Sequence, residues 1–416
     1  MNRIDFHQQD TTQLSAQPQS LSALWRAAVG AGFPVALWRL PNGTEKELII
    51  DGSGDVRTVA IDLDELPMGF AVSPFLNPDG QHTLFLQADW YWRFDEREKV
   101  LAEERRLAVE HPAAVRLAQH LERPQPDTVN KATVTVLPPN EGEQEAYEAV
   151  IRQAVRQMER GKFRKVVLSR TKALQFEQQP DVVALFNRLC EVYPAAFVSA
   201  IFLPEEGQVW LGATPERLVS LDAQGIFRTV SLAGTQSAYN GEGRLKRPSE
   251  THWTHKEIEE QALVSRYISD CFKKVHLREY VEEGPKTVMA GNLMHLQTDF
   301  TVDTQSANFP QLGTVMTQLL HPTSAVCGMP REAAQRFILQ HETHDRELYS
   351  GYLGPVNVNG AGQGPTTNLF VNLRCLKLEG EQGTLYAGGG LTKESVPARE
   401  WRETELKCQT LLAVIE

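Results

Sequence analysis

The strand-forming segments of this chain come in pairs that are joined by short turns. Residues 196–203 and 208–213 are rich in apolar side chains and flank "PEEGQ", and "RLVSL" and "FRTVSL" flank "DAQG" in the same way. This spacing predicts β-hairpins. Hairpins dominate over strand–helix–strand alternation, which favours an α+β architecture with antiparallel sheets over a doubly wound parallel sheet.

Apolar residues recur at helical spacing elsewhere in the chain. The clearest run extends from Tyr147 to Met158 and ends near Gly161. Residues 1–120 show no pattern that assigns elements, and the polar, proline-bearing stretch 122–144 is typical of a connection. We further predict helices over 252–273, 310–320, 330–341 and from about 398 onward, and strands over 165–169, 366–376 and 383–388.

Composition argues against several classes of protein. The 416 residues contain no apolar run long enough to cross a membrane, and the first residues lack the apolar core of a signal peptide, so we expect a cytoplasmic protein without a membrane span. A net charge of −11 argues against a nucleic-acid partner. The five cysteines are scattered singly, which predicts reduced thiols and no zinc site.

The last predicted helix places two carboxylates and an ammonium beside its apolar face. Glu400, Glu403 and Lys407 fall within an arc of roughly 60° and border the apolar stripe that contains Trp401 and Leu411. Two interpretations stay open at this stage. The three groups form a surface salt bridge, or they line a cleft at the edge of the buried face.

The helix predicted over 252–273 sets two acids into an apolar stripe. Glu257 and Glu260 project within the same arc as Val264 and Ile268. A buried carboxylate costs several kcal/mol unless it is neutralised or paired. The partner is therefore either a buried Lys or Arg, or a hard cation such as Mg²⁺ that takes oxygen ligands.

Two further features allow both a structural and a functional interpretation. Lys165 begins the otherwise apolar segment "KVVLSR"; it either extends its ammonium to water or, if desolvated, has a lowered pKa and serves as a general base. The glycines of "YAGGGL" and "LAGT" either form tight turns or let the backbone approach an anion.

Nine motifs occur in the order in which they occur in the chorismate-utilising enzymes. From about residue 143 to the C-terminus the chain resembles this family, which includes isochorismate, salicylate, anthranilate and aminodeoxychorismate synthases. The motifs are "KVVLSR", "GATPERLVS", "LAGT", "KEIEEQALV", "LHPTSAVCGMP", "RELYSG", "VNLR", "YAGGGL" and "EWRETELK".

The resemblance implies a single fold over residues 1–416, like that of anthranilate synthase component I, in which two antiparallel sheets pack together and helices wrap them. Residues 143–416 would be the chorismate-binding catalytic region, and residues 1–130 match weakly. It also implies Mg²⁺ between glutamates and the substrate carboxylate. The implied metal ligands are Glu260 and Glu403, with Glu257 and Glu400 in support, and the implied substrate contacts are Gly234, Thr235, Tyr349, Arg374, Gly388 and Lys407.

Among the branches of the family, the resemblance implies isochorismate synthase, which adds water at C2 of chorismate and expels the C4 hydroxyl. Lys165 matches the base, Glu216 the acid and His321 a site histidine. The amine-adding branches typically carry Gln in place of Lys165, and the aminodeoxychorismate branch carries a nucleophilic lysine in place of Ala233. The alternatives are salicylate synthase, which goes on to eliminate pyruvate, component I of anthranilate or aminodeoxychorismate synthase, and a binding protein without turnover.

The expected partner is chorismate, and the expected assembly is a monomer or a weak homo-oligomer. The product of such an enzyme would feed either menaquinone or a catechol siderophore.

Overall fold

Two large antiparallel sheets form the core of the computed structural model, which describes residues 20–123, 133–290, 293–360 and 364–416. In the described chain, one sheet has 11 strands and the other has nine. The predicted α+β class is confirmed.

The helices are α1 (Leu21–Gly30), α2 (Pro112–Leu121), α3 (Glu143–Glu159), α4 (Val182–Val192), α5 (His255–Lys274), α6 (Leu312–Leu320), α7 (Arg331–His341) and α8 (Pro397–Ile415). None of the helices in the described ranges is long and apolar enough to span a membrane.

The first ten strands are β1 (Val35–Arg39), β2 (Lys46–Ile50), β3 (Arg57–Val59), β4 (Gly69–Ser73), β5 (Thr83–Gln87), β6 (Trp90–Phe94), β7 (Val100–Arg105), β8 (Val134–Val136), β9 (Lys165–Phe176) and β10 (Phe197–Leu203). The others are β11 (Gln208–Thr214), β12 (Arg217–Leu221), β13 (Ile226–Ser237), β14 (Val281–Ala290), β15 (Leu293–Asp303), β16 (Gly328–Met329), β17 (Tyr352–Val356), β18 (Thr367–Val371), β19 (Cys375–Glu379) and β20 (Gln382–Leu391). The strands of the 11-stranded sheet are ordered β16-β9-β20-β19-β11-β10-β1-β2-β6-β7, with β8 beside β9. Those of the nine-stranded sheet are ordered β14-β15-β13-β12-β18-β17-β4-β5-β3.

Aromatic residues fill the space between the two sheets. Phe197 of β10 stacks on Phe370 of β18 with ring centroids 4.2 Å apart, and Trp38 of β1 lies 5.3 Å from Phe70 of β4. Each contact joins one sheet to the other. Burying such large apolar side chains contributes roughly 1.5–3 kcal/mol each, so this layer holds the sandwich together.

Helices cover the outer faces of the sandwich. Apolar side chains of α1, α2, α4 and α8 pack on the 11-stranded sheet, and those of α5 and α6 pack on the nine-stranded sheet. Each predicted helix is confirmed, with its ends within four residues of those predicted, whereas α1, α2 and α4 were not predicted. The start of α5 is fixed by a capping box between Thr254 and Glu257.

The single strand predicted over 366–376 is wrong. The segment forms β18 in the nine-stranded sheet and then β19 in the 11-stranded sheet. Arg374 lies at the crossing with a φ of 49°, in the left-handed region that non-glycine residues rarely adopt. The crossing therefore places Arg374 at the edge where the two sheets meet.

The unassigned N-terminal residues supply strands to both sheets. β1 pairs with β10 in the 11-stranded sheet, and β4 pairs with β17 in the nine-stranded sheet. Of the predicted connection 122–144, residues 124–132 lie outside the described residues, β8 follows them, and α3 begins at Glu143.

Candidate active site

A cavity of about 70 Å³ lies where β9, β13 and β20 meet α5 and α8. Ten of the thirteen residues singled out in the sequence line it, although they come from all parts of the region after residue 160. They are Lys165, Glu216, Gly234, Thr235, Glu260, Tyr349, Arg374, Gly388, Glu403 and Lys407.

Lys165 begins β9 and is only 2% exposed, so its ammonium does not reach bulk water. Burial lowers the pKa of Lys165 below its ordinary value, although Glu260 and Glu216 act in the opposite direction. Gly390 on the neighbouring strand β20 makes room for this side chain, because a Cβ there would lie 3.1 Å from Lys165 Cε. Lys165 therefore has the environment of a lysine that can be neutral and act as a base.

Glu216 lies between β11 and β12 and is also buried. Burial raises the pKa of Glu216 to about 7, although Lys165 and Arg374 act against this shift. A carboxyl group in this state is partly protonated at neutral pH and can donate a proton. The cavity thus holds an acid and a base whose pKa values are moved from their ordinary values toward neutrality, an arrangement that is typical of acid–base catalysis.

Another wall of the cavity, which we call the acidic wall, is formed by Glu260 and Glu403 with Glu400 behind them. Two lysines neutralise part of its negative charge. Lys256 Nζ lies 2.7 Å from Glu400 Oε1 and 3.6 Å from Glu260 Oε1, and it ties α5 to α8. Lys407 Nζ lies 2.7 Å from Glu403 Oε1 and donates to the carbonyl oxygen of Gly388 at 2.7 Å. The structure therefore gives Glu260 a half-buried lysine partner, which was one of the two alternatives for this acid, and it pairs Glu400 and Glu403 with lysines as well.

The pairs with lysine nevertheless leave carboxylate oxygen atoms of the acidic wall without a partner. Glu400 Oε2 is buried and has no hydrogen-bond partner among the described residues. A Cβ built on Gly389 would lie 3.5 Å from Glu400 Oε2 and 3.9 Å from Glu403 Oε1, so the glycine leaves a space that two carboxylate oxygens face. An all-oxygen donor set in such a cradle fits a hard divalent cation.

A different group of residues brings its ligand atoms closer together at the surface. His255, Glu259 and Glu394 offer atoms that all lie within 4.8 Å of one another, but the group is exposed or half-exposed and does not line the cavity. Exposed groups of this kind are common without a metal ion, and the acidic wall is the better candidate.

Arg374 and Tyr349 form the remaining side of the cavity. In the described chain the Arg374 guanidinium makes no hydrogen bond to another side chain, and burial lowers its pKa. Gly388 permits the approach of Tyr349, since a Cβ there would lie 2.8 Å from Tyr349 Oη. The glycines of "YAGGGL" lie inside β20 and not in a turn. An arginine fork without a partner is suited to binding a carboxylate in bidentate fashion.

Comparison with known proteins places this site in a family. The sequence model of the family described as "Chorismate binding enzyme" matches residues 95–416. The chain belongs to this family.

Named relatives of this chorismate-binding enzyme are isochorismate synthases. EntC of Escherichia coli K12, named isochorismate synthase, is 31% identical over 274 residues, which are 65% of this chain and 67% of EntC. The vibriobactin-specific isochorismate synthase of Vibrio cholerae serotype O1 is 28% identical over 249 residues, 60% of this chain and 61% of that protein. The chain thus matches about two thirds or less of their length.

A solved structure extends the likeness to nearly the whole chain. MenF, the menaquinone-specific isochorismate synthase from Escherichia coli, aligns with a TM-score of 0.74 at 22% identity and covers 96% of this chain and 94% of its own. At this level of identity the match shows the fold, which confirms the predicted sandwich.

Three predicted residues of the chorismate-binding enzyme do not line the cavity. Glu400 lies directly behind it and contacts Lys256. Glu257 is used as a helix cap: it accepts from the backbone N–H of Thr254 at 2.6 Å and from Gln236 Nε2 at 3.0 Å. The structure therefore gives Glu257 a role in starting α5 and does not bring it into the cavity.

His321 lies outside the cavity altogether. Its Nε2 donates to the carbonyl oxygen of Pro74 at 3.0 Å, and burial lowers the pKa of His321 to about 4, so the ring is neutral. It follows α6 and faces a separate cavity. Of the loop 321–331, Ala325 and Val326 line the candidate active site and His321 does not, so its role as a site histidine stays a prediction.

The histidine that does line the site is His295 of β15. Its Nδ1 donates to the carbonyl oxygen of Gly234 at 2.9 Å, and its Nε2 is buried without a partner. Burial lowers the pKa of His295 to about 3, which keeps the ring neutral. The segment "LMHL", a lone histidine in an apolar strand, was the available signal, but no strand was predicted there.

Proposed function

We propose that this chorismate-binding enzyme is an isochorismate synthase, which converts chorismate to isochorismate with the help of Mg²⁺. The observation that carries the proposal is the pairing of a buried lysine and a buried carboxyl group in one cavity, with their pKa values shifted in opposite directions. The names of the relatives support the same reaction.

The chemistry assigns complementary roles to these two residues. Neutral Lys165 removes a proton from the water that attacks C2, and the C2–O bond forms. Both ring double bonds shift, from C1–C2 to C1–C6 and from C5–C6 to C4–C5. Protonated Glu216 gives its proton to the C4 hydroxyl, which leaves as water as the C4–O bond breaks. One water is added at C2 and one leaves from C4, so substrate and product have the same composition and the reaction is an isomerisation. In the return reaction the roles are exchanged: Glu216 removes a proton from the attacking water, and Lys165 donates one to the leaving hydroxyl.

The carboxylates of the substrate are held at the two ends of the cavity. We assign the enolpyruvyl carboxylate to Arg374 and Tyr349, and the ring carboxylate to the end with Lys407, Glu260 and Glu403. Mg²⁺, when bound, would supply positive charge between that carboxylate and the glutamates, which otherwise repel it. Glu260 and Glu403 would hold the ion, with Glu400 behind them.

The present cavity is narrower than the bound substrate requires. Small-molecule sites usually measure about 300–1,000 Å³, and this one measures about 70 Å³ because long charged side chains extend into it. We infer that substrate and cation binding move Lys256 and Lys407 away from the glutamates that they pair with here.

The decisive experiment is proton NMR of the purified chain with chorismate and Mg²⁺, repeated with EDTA. We expect an equilibrium mixture of chorismate and isochorismate that does not form with EDTA. Salicylate and pyruvate would instead indicate salicylate synthase, and unchanged chorismate in both samples would indicate a binding protein.

The variant Glu260→Gln tests the proposed metal ligand. We expect it to raise the Mg²⁺ concentration needed for half-maximal turnover at least tenfold, whereas Asp270→Asn, at an exposed carboxylate of the same helix, should leave it unchanged. An unchanged requirement in Glu260→Gln would remove Glu260 from the ligand set.

A further inference from the structure

A second cavity, of about 340 Å³, lies between the end of α6 and the start of α7. We name it the α6–α7 cavity; its walls include Gln318, His321, Arg331, Gln335, Tyr352 and the turn 77–80. It shares no lining residue with the candidate active site. Its volume falls in the range of small-molecule sites, which makes it a candidate for a second ligand.

Arg331 gives this cavity a fixed positive charge. Its Nη1 donates to the carbonyl oxygens of Leu319 at 3.2 Å and His321 at 2.9 Å, and so caps the C-terminal end of α6. Within the described chain all its hydrogen bonds use Nη1. Nε and Nη2 have no hydrogen bond within the described chain, and neither atom is fully buried. One edge of the guanidinium is anchored and the other is free for an anion.

The polar groups deeper in the wall of the α6–α7 cavity already have hydrogen-bond partners within the protein. Asn77 Nδ2 donates to Ser73 Oγ at 3.0 Å, Thr317 Oγ1 donates to the carbonyl oxygen of Gly313 at 2.8 Å, and Tyr352 Oη pairs with Thr83 Oγ1 at 2.8 Å. The floor is therefore ordered without a ligand. A ligand would find a rigid floor and would contact mainly Arg331 and the glutamine side chains.

Two carboxylates at the mouth of the α6–α7 cavity restrict the kind of anion that can bind there. Asp79 and Glu332 are exposed and line the same cavity. Two carboxylates near one guanidinium repel a multiply charged ion such as phosphate more strongly than an ion with one negative charge. Among anions, these charges therefore favour a molecule that carries a single carboxylate and is otherwise uncharged.

The loop between the two cavities connects them physically. Ala325 and Val326 line the candidate active site, and the loop then forms β16, whose Met329 pairs with Lys165. The backbone N–H of Arg164 donates to the carbonyl oxygen of Met329 at 2.7 Å. Arg331 follows only two residues later. A displacement of Arg331 can therefore move β16, which is hydrogen-bonded to the strand that carries the proposed base.

We propose that the α6–α7 cavity binds a small monocarboxylate on Arg331 and that its occupancy changes turnover by shifting β16 against Lys165. Binding is independent of the proposed function, whereas the effect on turnover rests on it. The two parts are therefore measured separately.

The binding test is isothermal titration calorimetry of the full chain with benzoate. Inorganic phosphate and L-phenylalanine serve as comparison probes. We expect benzoate to bind, and to bind at least tenfold more weakly to Arg331→Gln. Because Arg331 also caps α6, Gln335→Trp provides a second variant that fills the cavity without removing the cap. The matched control is Arg336→Gln, an exposed arginine of the same helix that does not line the cavity.

The candidate active site also accommodates carboxylates, so its contribution is measured with Arg374→Gln. Benzoate affinity that survives in Arg374→Gln and falls in Gln335→Trp supports the proposal. Affinity that falls only in Arg374→Gln, binding of phosphate or phenylalanine in preference to benzoate, or no binding at all would overturn it.

The turnover test uses chorismate at saturation. We expect benzoate to change kcat at least twofold in the wild type and in Arg336→Gln, but not in Gln335→Trp. Benzoate binding at the cavity with no change in kcat would overturn the coupling. Absence of any chorismate turnover, together with benzoate binding that Gln335→Trp abolishes, would count against the proposed function and leave the binding site established.

Discussion

At the scale of single residues, the site depends on burial that changes how ordinary side chains ionise. Lys165 and Glu216 are surrounded by protein, and desolvation disfavours the charged form of each. The same burial shifts the two pKa values in opposite directions because one group is a cation and the other an anion. Two predictions test these residues, and a third tests Lys256.

Lys165→Ala removes the proposed base. General acid–base catalysis contributes about 10²–10⁴-fold, so we expect kcat to fall by that factor while the dissociation constant for chorismate changes little. Lys172→Ala, on the same strand but paired with Glu405, serves as the control. Wild-type kcat in Lys165→Ala would refute the assignment of the base.

Glu216 should make the stability of the protein depend on pH. Its pKa is raised by burial from 4.5 to about 7 in the folded state, so its contribution is fully present below about pH 4.5 and is lost as the pH rises through 7. Glu216→Gln abolishes this loss. Between pH 5 and pH 8 we expect the variant to gain about 2 kcal/mol in unfolding free energy relative to the wild type.

Urea denaturation at several pH values measures this difference, with Glu381→Gln at an exposed position as the control. A difference between Glu216→Gln and the wild type that stays constant with pH would contradict a raised pKa at Glu216.

Lys256 occupies the position of a counter-ion between Glu400 and Glu260. Burial alone would lower the pKa of Lys256, but Glu260 and Glu400 raise it above its ordinary value, so the ammonium stays charged. Lys256→Met should destabilise the metal-free protein by on the order of 3 kcal/mol, because two buried carboxylates lose their partner. It should also raise the affinity for Mg²⁺ at least tenfold.

Thermal unfolding with and without Mg²⁺ and direct titration of the ion measure both effects. Lys273→Met, an exposed lysine on the same helix, is the control. Mg²⁺ affinity that is equal in Lys256→Met and the wild type would show that the lysine does not compete with the ion.

At the scale of elements, the positions of the site residues are set by strand ends and by short pairings. β16 is only two residues long, yet it fixes Lys165 and Val166 at the edge of the 11-stranded sheet. Arg374 is placed by the crossing from β18 to β19, and Glu260 and Glu403 by two helices that Lys256 joins. Small elements thus decide which side chains meet.

Gly328→Ala tests the pairing of β16. Gly328 has a φ of 142°, and a Cβ there would clash with the Lys165 carbonyl oxygen and lie 2.6 Å from Ala334 Cβ. We expect a loss of at least about 2 kcal/mol in unfolding free energy and a fall in kcat. Gly241→Ala, where no atom lies within 4 Å of the added Cβ, should change stability by less than about 0.5 kcal/mol. Equal stability of the two variants would contradict the close packing of β16.

At the scale of the whole molecule, the N-terminal third is part of both sheets. β1, β2, β6 and β7 extend one sheet, and β3, β4 and β5 extend the other. The motifs of the resemblance all lie after residue 143, but the apolar layer between the sheets needs Trp38 and Phe70 from before it. The prediction of one fold over 1–416 agrees with this pairing and stays a prediction.

A fragment of residues 143–416 should therefore fail to fold on its own. It would leave β10 and β17 with unpaired edges and would expose the inner layer to water. We expect no cooperative unfolding transition by circular dichroism and no chorismate turnover, and the full chain serves as the control. A cooperative transition in the fragment would show that the N-terminal strands are dispensable.

The sequence alone determined the class of fold, five of the eight described helices and most of the site. Hairpin spacing is a local property, and the apolar stripes of α5 and α8 follow from helical geometry, so these features could be read along the chain. The motifs that resemble the family identified ten residues that line one cavity. Local order in sequence was sufficient because the residues within each motif are close together in the chain, whether the motif lies on a strand, on a helix or in a connecting loop.

Only the tertiary structure decided which side chains meet and which do not. The burial of Lys165, the partner of Glu400 and the positions of His295 and His321 all depend on contacts between residues far apart in the chain. Periodicity could not reveal that the 366–376 segment changes sheet, because both halves have the pattern of a strand. The N-terminal strands are fixed by pairing with β10 and β17, and pairing between distant segments leaves no periodic signal in either one.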